Sequence, residues 1–163
     1  MDAAVKAYEK GAYGEATSSL QQAIVYVNQK KSETLKPFFP DTIGNLKGEK
    51  SKVDNALYNA AGTMLHRQYT NGNARCRVQL ALDSPLMAQF GSYINNPQMA
   101  SAMGLQTRRV NGTKLMFKEK DQSVIMIYNN RFFIQISNTR NLNEQQVLEV
   151  LKGLNFEVLK NFK

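Results

Sequence analysis

The chain has 163 residues, 42% hydrophobic and 21% charged, with a net charge of +8 at pH 7. That length suits one domain able to bury about two-thirds of the surface its unfolded form exposes, so no covalent staple is needed. A single cysteine, Cys76, excludes an internal disulfide, and no apolar run approaches the roughly 18 residues of a membrane span.

The charge is unevenly placed. Residues 1–60 carry eight Lys/Arg against seven Asp/Glu, a net +1, and the remainder carries thirteen against six, a net +7. A charge of this size favours acidic partners and speeds encounter with them. Met1-Asp2-Ala3-Ala4 lacks the basic start and apolar stretch of a leader, and the helical pattern begins at once. An exported protein whose leader has been removed and a cytoplasmic protein therefore both fit.

The first thirty residues predict two helices. Tyr8, Gly11, Tyr13, Ala16, Leu20 and Ala23 form the pattern Y-x-x-G-x-Y-x-x-A-x-x-x-L-x-x-A, and Ala16, Leu20, Ala23, Ile24 and Val27 make one apolar stripe at helical spacing. Gly11 supplies the turn and Ala16 allows close approach. The pattern resembles the turn and second helix of a tetratricopeptide repeat, present here once. Three such units are needed for an independent stack, so residues 1–36 are expected to form a helical hairpin packed on the main domain. Pro37 and Pro40 stop the second helix. Residues 37–163 are expected to form an α+β domain with an antiparallel sheet of five to six strands.

After a Lys-rich stretch suited to an edge strand, and a further helical turn expected over residues 54–62, strands are predicted at 64–70 and 74–82 around Asn71-Gly72. In the second strand Cys76, Val78, Leu80 and Leu82 alternate with Arg75, Arg77, Gln79 and Ala81, which sets a core side against a wet side. Asp83-Ser84-Pro85 reads as a helix start, Asn95-Asn96-Pro97 as its end, and Gly104 as the cap of a shorter helix. A second hairpin turns at Asn111-Gly112, placing Val110, Leu115 and Phe117 inward and Arg109 and Lys114 outward. A third turns at Asn129-Asn130, with Ile125, Ile127, Phe132, Ile134 and Ile136 as core. Met126, Tyr128 and Phe133 then fall, with Val124, on an outer face too apolar to be fully solvated, to be covered by the N-terminal hairpin or another chain. A last helix starts near Asn141 or Asn143 and ends at Gly153, and the Phe156–Phe162 tail docks on the core.

Convergent chemistry is scarce. His66 is the only histidine. A two-residue turn at Asn71-Gly72 puts it on the face opposite Cys76, whereas a three-residue turn including Asn73 could bring the two together as a nucleophilic pair. Met99 and Met103 lie four apart without a neighbouring Cys or His to support copper binding. Neither a catalytic set, nor a metal site, nor a cofactor is expected. The functional lead is a basic sheet face of Arg75, Arg77, Arg109, Lys114 and Lys118, to be weighed against a face that serves only solubility. No motif for nucleic-acid recognition accompanies it.

The helical hairpin, the Phe39-Pro40 to Gly44 entry into the sheet, and Val110-Asn111-Gly112 followed by Asn130-Arg131-Phe132 resemble exported bacterial proteins of unassigned function, with Asn45 where their pattern has tryptophan. The resemblance implies a cell-envelope location and a sheet-and-helix sandwich akin to the PsbP-type fold. The expected function is a non-enzymatic periplasmic binding or accessory domain docking on an acidic or partly apolar protein surface or another anionic surface, not spanning a membrane, its oligomeric state open. The alternative is a small-ligand carrier or enzyme with a pocket between sheet and helices.

Overall fold

In the structure, a computed structural model that describes residues 2–53, 63–110 and 112–162, the chain opens with the helical hairpin. Helices α1 (Asp2–Glu9) and α2 (Tyr13–Leu35) are joined at Gly11, whose φ of +73° is the left-handed conformation that glycine tolerates. The Ala12 N–H donates back to the Ala7 carbonyl at 2.9 Å and closes the first helix. Buried Ala4 and Ala7 of α1 and Ala16 of α2 are small enough for the two axes to approach. Pro37 then converts the end of α2 into a 3-10 turn over Lys36–Phe38. Only the last turns of α2 reach the sheet: Asn28, Ser32 and Leu35 are its buried residues besides Ala16.

The fold is α+β, built on one antiparallel sheet of nine strands among the described residues, more than the five to six expected. The strands are β1 (Thr42–Ile43), β2 (Leu46–Gly48), β3 (Lys52–Val53), β4 (Thr63–Asn71), β5 (Ala74–Leu82), β6 (Leu105–Val110), β7 (Thr113–Lys118), β8 (Ser123–Tyr128) and β9 (Phe132–Arg140). Their order is β1-β2-β4-β5-β9-β8-β7-β6, and β3 also pairs with β4. The extra strands are the two- and three-residue pieces β1 to β3. Short β2 and β3 take successive stretches of the free side of β4, opposite Tyr69–Thr70 and Leu65–His66, and blunt that edge. The helical turn expected over residues 54–62 lies outside the described residues.

Both faces of the sheet are packed. The main face carries Leu65, Tyr69, Val78, Leu80, Phe117, Phe132 and Ile134 against Leu35, Phe38, α5 (Glu144–Lys152) and α6 (Phe156–Lys160). Of the two starts expected, Asn141 and Asn143, the second is used: Asn143 and Gln146 close a capping box at the start of α5. The second face carries Met64, Ala81, Met116, Ile125 and Phe133 under α3 (Leu86–Asn95) and α4 (Pro97–Ala102). The cover anticipated for an apolar outer face is supplied by α3 and α4, and not by the N-terminal hairpin, whose buried end packs on the main face.

Strand β8 is turned over relative to the sequence expectation. Tyr128 pairs with Phe132, so the loop holds three residues, Asn129, Asn130 and Arg131, both asparagines being left-handed at φ +50° and +52°. A two-residue turn would have paired Tyr128 with Arg131, and a one-residue difference in register exchanges every side chain between faces. Met126 and Tyr128 thus share the main face with Phe132, while Ile125 and Ile127 share the second face with Phe133. The first strand hairpin also closes one residue later than expected, on Gly72 and Asn73, with Asn71 opposite Ala74.

Candidate functional site

The polar part of the second face is a strip left uncovered by α3 and α4. Cross-strand pairing puts His66 opposite Gln79, Gln68 opposite Arg77 and Thr70 opposite Arg75, all on this face. At its end β9 carries a bulge. Arg77 pairs with Ser137 and Arg75 with Arg140, so Asn138 and Thr139 together oppose Cys76 alone. Asn138 absorbs the extra residue at φ +53°, a conformation asparagine accepts more readily than most side chains. A cavity of about 250 Å³ opens there, lined by Gln68, Arg75, Cys76, Arg77, Asn138 and Thr139.

The five basic residues singled out from the sequence do lie on one face, but they form two groups. Arg75 and Arg77 flank the bulge. Lys118 ends β7, three strand spacings (about 14 Å) from β5. Its Nζ is 3.7 Å from the Asp121 carboxylate, and the Asp121 carbonyl accepts from the Thr139 hydroxyl, which draws Lys118 toward the bulged corner. Arg109 and Lys114 pair with each other at the far end of β6 and β7. There the Lys114 ammonium donates to the Ile94 carbonyl and satisfies the C-terminal turn of α3.

The expected apolar outer patch of Met126, Tyr128 and Phe133 does not form. Phe133 is fully buried under α3, its ring 5.2 Å from that of Phe90. Met126 and Tyr128 instead line a cavity of about 320 Å³ between β7–β8 and the α5–α6 region, with Val110, Lys152, Phe156 and Lys160. Leu115 and Phe132, expected in the core, are fully buried there.

The exposed apolar surface lies on the hairpin instead. Of the ten large hydrophobic side chains exposed among the described residues, eight belong to α1 and α2: Val5, Tyr8, Tyr13, Leu20, Ile24, Val25, Tyr26 and Val27. Tyr13, Leu20, Ile24 and Val27 follow one helical stripe, between the side of α2 that meets α1 and the side that meets the sheet. Leu20, Ile24 and Val27 are 48%, 54% and 53% exposed. The ridge runs down to an open groove lined by Val27, Lys30, Lys31 and Phe162.

The Cys76–His66 pair does not form. Tyr69 stands opposite Cys76 and Gln79 opposite His66, so the cysteine and histidine occupy opposite faces. Burial pushes the Cys76 thiol up to about 12, which removes the thiolate that nucleophilic attack requires. Among the described residues, no three His, Cys, Asp or Glu side chains converge as a metal-binding group. No helix among them is long and apolar enough to cross a membrane.

Arg67 is the residue that sequence reasoning missed. Although 9% exposed, it is held by donors aimed at the start of the sheet: Nη1 donates to the Phe39 carbonyl at 2.8 Å, and Nη2 to Asp41 Oδ1 at 2.7 Å and the Gly48 carbonyl at 3.2 Å. The Tyr69 hydroxyl donates to the Pro40 carbonyl at 2.9 Å beside it. A Cβ at position 48 would overlap Arg67 Nε, so Gly48 is the opening through which the guanidinium passes. The signal available was Phe39-Pro40-Asp41 followed by Gly48, a turn with free carbonyls and no side chain to shield them.

Compared with known proteins, the chain matches no family, no curated protein and no solved structure.

Proposed function

We propose that the chain is a non-enzymatic binding or accessory domain of the cell envelope that docks on a partly apolar, acidic protein surface through its N-terminal hairpin. The observation that carries this reading is the concentration of exposed apolar side chains on α1 and α2, where Leu20, Ile24 and Val27 stand about half exposed on one stripe. A contiguous apolar patch costs free energy in water and marks a contact surface. The sheet body buries its own apolar side chains and keeps charge outside, so it offers a scaffold. The excess positive charge after residue 60 speeds encounter of the domain with an acidic partner, over a range of about 8–10 Å at physiological salt. The envelope location rests on the resemblance of the hairpin and the strand turns to exported bacterial proteins.

A photo-crosslinking side chain placed at Ile24 in living cells tests it. The expected result is one discrete adduct, lost in Leu20→Asp, and weakened when Arg75, Arg77 and Arg109 are all reversed to Glu. A ridge that yields no adduct while a probe on the sheet face does so would overturn the assignment of the hairpin.

A second reading is favoured by the cavity between β7–β8 and α5–α6. At about 320 Å³, with an apolar floor of Val110 and Met126 and a rim of Lys152 and Lys160, it has the size and lining of a small-ligand site. Native mass spectrometry of the protein isolated from its own envelope should then find a bound small molecule that Met126→Trp displaces.

A further inference from the structure

We propose that the corner where β5 and β9 part around the bulge is a binding site for a small oxyanion, a phosphate or sulfate group. Two arginines, Arg75 and Arg77, line the cavity there, and Arg140 adjoins it on the neighbouring strand. Arg75 and Arg140 stand directly opposite across the two strands, and Arg77 follows Arg75 on the same face. Like charges directly opposite each other destabilise an antiparallel pair, and an anion between them reverses the sign of that interaction. Among the described residues no carboxylate pairs with Arg75 or Arg140, whereas Arg67, Arg108 and Arg131 each have one.

The bulge gives these charges a cavity. Regular pairing would close the ladder at Cys76, but the extra residue at Asn138 opens about 250 Å³ beside the guanidinium groups. That volume takes a tetrahedral oxyanion and several waters at about 30 Å³ each. Gln68 and Thr139 complete the wall, Gln68 donating to Glu49 at 3.2 Å and the Thr139 hydroxyl to the Asp121 carbonyl. The planar guanidinium presents parallel N–H donors that match two oxygens of a phosphate or sulfate at once, which an ammonium cannot do. Bulges are common beside functional sites, where they re-aim a side chain.

Inorganic phosphate, titrated at constant ionic strength against chloride and followed through the arginine Nε–Hε resonances, is the test. Saturable shifts are expected at Arg75 and Arg140 and none at Arg109. Arg75→Ala and Arg140→Ala should each weaken binding about tenfold, and Arg75→Lys, which keeps the charge and loses the fork, should fall between. Both residues are exposed, so the fold is retained and the amide spectrum of each variant verifies it. Leu20→Asp should bind phosphate as wild type does, which separates this site from the hairpin surface. Shifts that never saturate, or an equal loss in Arg109→Ala, would overturn the site in favour of general screening. Displacement of phosphate by phosphatidylglycerol vesicles would identify a lipid headgroup as the source of the oxyanion, and no displacement a soluble one.

Discussion

Helix α2 crosses two environments, and the contrast between its halves separates what holds this fold together from what is left available. Toward its C-terminus, Leu35 is fully buried beside Phe38, and the Ser32 hydroxyl donates to the Asn28 carbonyl in a buried turn. Toward its N-terminus the same helix meets, among the described residues, only α1, and its apolar stripe is exposed. The sheet body follows the rule of the buried half. Its large side chains fill both faces, and the buried Arg67 is held by the Phe39 and Gly48 carbonyls. Apolar side chains in the sheet therefore serve stability. Those of the exposed half of α2 contribute little to it, and a role in contact explains why they are apolar.

Mutations should reproduce that division, beginning with the sheet body. Phe117→Ala empties a fully buried position between Leu115 and the helix layer and should cost about 3–5 kcal/mol, measured as a shift in urea midpoint. A cost below about 1 kcal/mol would break the picture of a tightly packed body. Next, Arg67→Ala strands the carbonyls it serves and should cost about 2–3 kcal/mol. Asp41→Asn should cost less than about 1 kcal/mol, because the Asp41 side chain is 93% exposed and the ion pair is screened on that side. Equal costs for the two would transfer the stabilisation from the carbonyl contacts to the ion pair.

A third effect is confined to alkaline solution. Burial raises the Cys76 thiol from an ordinary value of 9.0 to about 12, so between those values the unfolded chain holds fewer protons than the folded one. Stability should then be unaffected by this group below pH 9 and fall as pH rises from there. Tyr69, also raised by burial, acts in the same direction above its ordinary value of 10.0. Urea midpoints at pH 8, 9 and 10 should drop less steeply in Cys76→Ala than in wild type, and parallel slopes would remove the thiol from the account. The smallest effect is on the hairpin itself. Leu20→Ala should change stability by no more than about 0.5 kcal/mol, as at an ordinary surface position. A loss above about 2 kcal/mol would mean that the ridge is structural after all.

The parts legible in the sequence are those where one local signal was sufficient. Alternation in residues 74–82 gave β5 and its main core side, though Ala81, expected on the wet side, is buried; the asparagines placed the start of α5 to within two residues, and Gly11 marked the helical hairpin. Strand β8 failed because every residue from Val124 to Tyr128 is apolar, so alternation carried no information and the face rested on loop length alone. Three residues in that loop, instead of two, exchanged Met126 and Tyr128 with Ile125 and Ile127. Strands β1 to β3 are too short to show a period. The basic residues were placed on the right face, but their division into two groups depends on α3 and α4, whose position on the sheet no local pattern encodes. The bulge was invisible for a similar reason. It appears only when Arg75 and Arg77 are aligned with Ser137 and Arg140, a comparison across about sixty residues of chain. The helical stripe on α2 was legible as a pattern, and only tertiary structure revealed that nothing within the described chain covers it.

The anchoring of α2 by its last turns has a kinetic side. A helix of 23 residues extends about 35 Å, yet its buried side chains beyond Ala16 begin only at Asn28. Amide hydrogens before that point open through local fraying of an amphipathic stretch, while those around Ser32 and Leu35 are released only with the core, so a single rod carries a gradient of exchange rates. A partner settling on the exposed half would slow the fast amides and leave the slow ones untouched. Occupancy of the ridge would thereby be recorded along one continuous helix, with the buried end serving as its internal clock.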